Sequence, residues 1–187
     1  MGHGGDIIHE LTTDHREVED IFSDIESMPP GEPRRKQLAD QVTIELVRLS
    51  IAEEQYLYPA VRAHVPDGAA IADREIGDHA TAERVMKELE EYSASHARFD
   101  QLIARLMTEI REHIQDEEDH LFPMLRAACT PEALADLGGK ARRAKRMAPT
   151  RPHPSAPDTP PLNKVLAPGV GLVDRARDMI SGRGQGS

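Results

Sequence analysis

The stretch His113-Ile114-Gln115-Asp116-Glu117-Glu118-Asp119-His120-Leu121-Phe122-Pro123 decides how this chain is read. His113 and Glu117 stand four apart, so on a helix they share one face, one turn from each other. Phe99, Leu102, Leu106, Ile110, Leu121 and Met124 mark the same stripe, so the imidazole and the carboxylate fall where a core should be. An ionised carboxylate is costly to bury unless it is paired or metal-bound. The pattern predicts a helix from an N-cap at Ser95 to about Cys129, holding a polar pair inside.

The chain repeats this pattern 64 positions upstream. Glu53-Glu54 matches Glu117-Glu118, Leu57-Tyr58-Pro59 matches Leu121-Phe122-Pro123, His15 matches His79, and Glu19 matches Glu83. The remaining helices follow from apolar periodicity and stop signals. One runs from an N-cap at Asp6 to about Met28, before Pro29-Pro30. A second runs from about Pro33 to His64, before Pro66-Asp67-Gly68. A third runs from about Ala69 to Tyr92. Short connections make neighbours antiparallel. The expected fold is all-α: an up-down-up-down antiparallel four-helix bundle over residues 1–129. A short fifth helix starts at Thr130-Pro131-Glu132 and is ended or interrupted by Gly138-Gly139, within a basic segment 130–147. Residues 148–187 read as a largely disordered tail, with a short amphipathic stretch at Val170–Ile180.

Composition agrees. There are three Phe, three Tyr and no Trp, and charged residues make up 30% of the chain, so the core must come from aliphatic residues on helices. No apolar run is long enough to span a bilayer. The N-terminus lacks a secretory layout, and the lone Cys129 has no partner for an internal disulfide. A cytoplasmic setting is the expectation. The net charge of -10 is uneven: residues from Lys140 onward carry +7, leaving -17 on the bundle. The basic tail reads as a solvated counterweight or a protein contact. Nucleic acid is disfavoured, because no aromatic residues interleave for base stacking.

At a rise of about 1.5 Å per residue, Glu53, His79 and His113 can share one level of the bundle, with His15 close to it. Imidazoles and carboxylates converging from facing helices suit iron or manganese. Asp14-His15, Glu53-Glu54-Gln55-Tyr56-Leu57-Tyr58-Pro59, Asp78-His79 and His113-x-x-x-Glu117-Glu118-x-x-Leu121-Phe122-Pro123 together resemble the hemerythrin HHE cation-binding family, over about Ile7 to Leu125. That resemblance implies two iron ions joined by an oxo or hydroxo bridge. Glu53 and Glu117 would bridge the ions, and His15, His79 and His113 would be terminal ligands.

One position departs from the family pattern. Leu49 stands four before Glu53, where a histidine is expected. Glu19, Glu83, Tyr56 and Glu54 are the nearest candidates to replace it, and Tyr56 would give a phenolate and a coloured ferric site. Otherwise Glu54 and Glu118 read as solvated neighbours, and Tyr58 and Phe122 as plugs at the bundle end. His120 reads as a surface residue, and Cys129 as a bystander. The expected function is a non-haem di-iron protein that binds or reacts with oxygen, hydrogen peroxide or nitric oxide. Catalase-like peroxide breakdown in oxidative stress defence is its enzymatic form. An iron sensing, storage or delivery module without turnover is the alternative.

Overall fold

The computed structural model describes residues 5–153. Helix α1 spans Ile7–Ser27, and the Asp6 side chain caps it by accepting from the His9 backbone N–H. Helix α2 covers residues 33–64 in three parts: α-helical Pro33–Ala52, a π-helical turn Glu53–Leu57, and α-helical Tyr58–His64. Helix α3 is Gly68–Leu89. Helix α4 has the same three parts as α2: Ala97–Asp116, a π turn Glu117–Leu121, and Phe122–Ala128. Its cap is His96 rather than Ser95, with the imidazole accepting from the Arg98 N–H. Helix α5 spans Pro131–Met147, capped by Thr130. No helix among the described residues is long and apolar enough to cross a membrane.

Side-chain pairs fix the directions. Arg62 meets Asp73 while Lys36 reaches the Leu89 carbonyl, so α2 and α3 are antiparallel. Arg74 meets Asp116 while Arg98 meets Glu88, which sets α3 against α4. His15 meets Glu118 while Arg111 grips Glu19 and Glu26, which sets α4 against α1. These four helices form a four-helix bundle.

The core lies in two parts. Phe22, Ile25, Val42, Leu46, Met86, Leu89, Phe99 and Leu106 fill one end. Ile7, Leu11, Leu49, Leu57, Val61, Leu121 and Leu125 fill the other, together with Leu134 and Ala141 of α5. A belt of buried acids and histidines sits along the bundle between the two.

The π turns come from the sequence. Proline has no N–H for the i−4 carbonyl, and its ring crowds that carbonyl. Pro59 and Pro123 stand inside helical runs, each just after a π turn. The wider turn is closed by bonds to the residue five back: Tyr58 N–H to the Glu53 carbonyl, and Phe122 N–H to the Glu117 carbonyl.

The expected break at Gly138-Gly139 does not occur, and α5 runs through both glycines. Gly138 is needed for contact instead. A Cβ there would lie 2.5 Å from the Gly5 carbonyl oxygen and 2.9 Å from the Ile7 nitrogen. The helix thus lies directly on the start of α1. Lys145 fastens it, with Nζ 2.7 Å from Glu10 and 2.6 Å from Asp14. Burial lifts the Asp14 carboxyl to about 6, against the pull of Lys145.

Disorder was expected from Ala148, yet residues 148–153 pack on α3: Arg151 meets Glu90 at 3.3 Å, and the His153 N–H donates to Glu83 at 2.7 Å. The expectations for residues 154–187, including the amphipathic stretch Val170–Ile180, lie outside the described residues.

Candidate metal centre

His15 on α1, Glu53 on α2, His79 on α3, and His113 and Glu117 on α4 all turn into the polar belt. His15, Glu53 and Glu117 are fully buried, and both other histidines are 8% exposed. Glu53 divides its carboxylate between two sides: Oε1 lies 3.8 Å from His15 Nε2, and Oε2 lies 3.2 Å from His79 Nε2. Glu117 does the same, with Oε2 3.5 Å from His15 Nε2 and Oε1 3.8 Å from His113 Nε2. Two donor groups result. One is His15, Glu53 and Glu117; the other centres on Glu53, His79 and His113.

Two imidazoles are hydrogen-bonded from behind: His15 Nδ1 lies 2.9 Å from Glu118 and His79 Nδ1 lies 3.1 Å from Glu54. His113 Nδ1 faces Glu75 at 3.1 Å without a hydrogen bond. A carboxylate against Nδ1 favours the tautomer whose Nε2 lone pair faces the interior, as is usual behind metal-binding histidines. The rings are also packed: Phe122 stacks on His15 at 5.7 Å, and Tyr58 tilts against His79 at 5.4 Å.

The electrostatics suit a bound cation. His15 Nε2, both Glu53 oxygens and Glu117 Oε2 are buried without a hydrogen-bond partner, and buried polar atoms are rarely left so. His79 Nε2 and His113 Nε2 face each other at 3.2 Å, where two lone pairs repel unless a proton or cation intervenes. Burial pushes the His15 ring down, but the neighbouring carboxylates of Glu117, Glu118 and Glu53 overcome it and hold the ring well above its usual range. His79 behaves alike through Glu53 and Glu54. Burial and the charge of Glu53 raise Glu117. For Glu53, burial works upward, yet the nearness of the His15 and His79 rings wins and lowers it. Without a cation, protons on the imidazoles must balance the acids, so the residues present suit positive charge.

The other candidates lie elsewhere. Glu19 is held by Arg111 at 2.6 Å on the outer face of α1, and Glu83 accepts from the His153 backbone. Tyr56 lines a groove between α2 and α5 beside Cys129. Glu54 does reach the belt, behind His79 rather than in front of it. Glu118 is likewise no solvated neighbour, since it holds His15.

Sequence reasoning missed two residues. Tyr58 was assigned to the bundle end, but its hydroxyl donates to Glu117 Oε1 at 3.0 Å and lies 3.0 Å from His79 Nε2. Glu75 was not singled out; it is 1% exposed. Its signal was the spacing Glu75-x-x-x-His79, the reverse of His113-x-x-x-Glu117.

The 64-residue repeat extends to these contacts. Glu118 holds His15 as Glu54 holds His79, and Phe122 covers His15 as Tyr58 covers His79. It fails at one pair: His113 and Glu75 correspond to Leu49 and Leu11, both buried in the same apolar cluster. The imidazole and the acid behind it are replaced together.

The chain is similar to known proteins in sequence and in fold. The chain is 27% identical over 168 residues to an uncharacterized hemerythrin-like protein of Schizosaccharomyces pombe, covering 89% of this chain and 82% of that one. It is 24% identical over 137 residues to a DNA nickase of Nostoc sp., covering 72% of this chain but 38% of that protein. The fold is similar to the crystal structure of a hemerythrin HHE cation binding domain-containing protein from Mycobacterium kansasii. The TM-score is 0.66 at 20% identity, over 75% of this chain and 85% of that one. The family model for the hemerythrin HHE cation binding domain matches residues 6–125, and the chain belongs to that family.

Proposed function

We propose that this chain is a dinuclear non-haem iron protein that binds or reacts with small oxygen species. The observation that carries the reading is the splitting of Glu53 and Glu117, each with one oxygen turned to either side of the belt. His15 would hold one ion. His79 and His113 would hold the other, with the Tyr58 hydroxyl beside it. A pair of irons bound there would supply one-electron steps towards oxygen, peroxide or nitric oxide.

The chain's own residues set the terms for that chemistry. Complete or near-complete burial of the candidate ligands admits only small molecules. The side with His15 offers three protein donors, which leaves room for an exogenous ligand. Tyr58 is kept protonated by burial and by the charges of Glu117, Glu53 and Glu75, so its O–H stands as a hydrogen-bond donor next to Glu117. Catalase-like peroxide decomposition is the enzymatic form best suited to such an enclosure.

The test is metal analysis of protein produced with iron, with optical spectra before and after peroxide. About two irons per chain and a peroxide-dependent spectral change, accompanied by oxygen release, are expected. Two bound irons with no response to peroxide, oxygen or nitric oxide would remove the reactive reading and leave iron sensing, storage or delivery.

A further inference from the structure

We propose that cations enter the centre through the cleft between α3 and α4, where Glu75 and His113 form the first stop, and that the matching cleft between α1 and α2 is guarded against cations by basic residues of α5. This rests on the dinuclear reading above.

The cleft between α3 and α4 has a volume of about 370 Å³, and His79 and His113 lie in its wall. Glu75, Asp78, Glu109, Glu112 and Asp116 surround it, against the one guanidinium of Arg74. Arg74 bridges Glu75 and Asp116, at 2.8 and 2.6 Å. Asp78 and Glu112 are exposed at its rim. A second observation points to a ligand. Glu75, His113 and Glu117 place donor atoms within 4.8 Å of one another, and all three are buried. An ion released from the rim thus meets three converging donors before it reaches Glu53.

The repeat supplies an internal control. Asp78, Glu109 and Glu112 correspond to Asp14, Glu45 and Arg48. These line a cleft of about 330 Å³ on the α1–α2 side. There α5 inserts Arg142, Lys145 and Arg146, and Lys145 neutralises Glu10 and Asp14. Behind that plug stand Leu11 and Leu49, in the places of Glu75 and His113. One cleft therefore has an acidic rim and a ligating floor, while its twin has a basic plug and an aliphatic floor. A cleft lined by one sign of charge raises the encounter rate of the opposite ion by about 10–1000-fold.

The experiment follows cobalt(II) uptake by the full-length apoprotein in a stopped-flow spectrometer, using the visible bands of the bound ion. The variant D78K/E112K reverses the rim, and D20K/D24K reverses two exposed acids on α1 as a control for net charge. The rim variant should load roughly tenfold more slowly at low ionic strength. Its final stoichiometry should be unchanged, and the difference should shrink in about 1 M salt, where screening falls to about 3 Å. The milder D78N/E112Q should be slowed less, and the α1 control should load like wild type. Equal rates in wild type and both rim variants, or equal slowing by the α1 control, would overturn the entry route alone. Wild-type protein that binds no cobalt would overturn the dinuclear reading and the route with it.

Discussion

Tyr56 and Tyr58 show how a single residue's role depends on local backbone. In a regular α-helix Tyr56, three after Glu53, shares its face and Tyr58 does not. The π turn shifts the frame, so the residue five after Glu53 comes beneath it and Tyr58 enters the belt. Iron-loaded Tyr58→Phe should therefore differ from wild type in its visible spectrum, and Tyr56→Phe should not; spectra of the three proteins at equal iron content decide. The paired change at Leu11 and Leu49 gives a second prediction at this scale. Leu49→His alone buries an imidazole with no acid behind it, which should cost about 1–3 kcal/mol in stability. The double variant L11E/L49H restores the pair seen at Glu75 and His113 and should tighten cation binding on the His15 side, as read by cobalt titration. Weaker binding in the double variant than in the single would show that the two leucines do not occupy matching places.

At the scale of elements, the four long helices were legible because apolar periodicity, caps and proline stops agreed. Their candidate ligands were legible because spacing by four and the repeat marked the same residues. The π turns were not read, although Pro59 and Pro123 signalled them: a proline within a helical run requires some local adjustment, and the sequence does not say which. Glu75 was hidden as one more acid on an acidic helix, and its informative counterpart, Leu11, looked like ordinary core. Helix α5 was underestimated because paired glycines weaken a helix in isolation, while here one of them allows backbone contact. Gly138→Ala should therefore destabilise the docking of α5 by about 1–3 kcal/mol, since its methyl would meet backbone that cannot move aside. Denaturant midpoints of wild type and variant measure this, and a stabilised variant would show that helix propensity outweighs the contact.

Across the whole molecule, charge and closure are distributed unequally on a nearly symmetric frame. The belt has alike histidine supports at both ends, yet one side ends in leucines and a cleft lined by basic residues and the other in acids and an acidic cleft. The acidic bundle is countered locally where α5 lies: Arg142 and Lys145 turn inward to Glu10 and Asp14.

The splitting of Glu53 and Glu117 has a consequence for assembly. Both donor groups that use Glu53 draw on the two hairpins: His15 relies on Glu117 from the other half, and His79 relies on Glu53. A chain severed in the loop at residues 65–67 should yield two pieces that recombine more tightly when a divalent ion is supplied. Size-exclusion chromatography of the cleaved protein, with and without cobalt, reads that recombination directly; identical elution in both conditions would mean the ion is not the stitch that joins the halves.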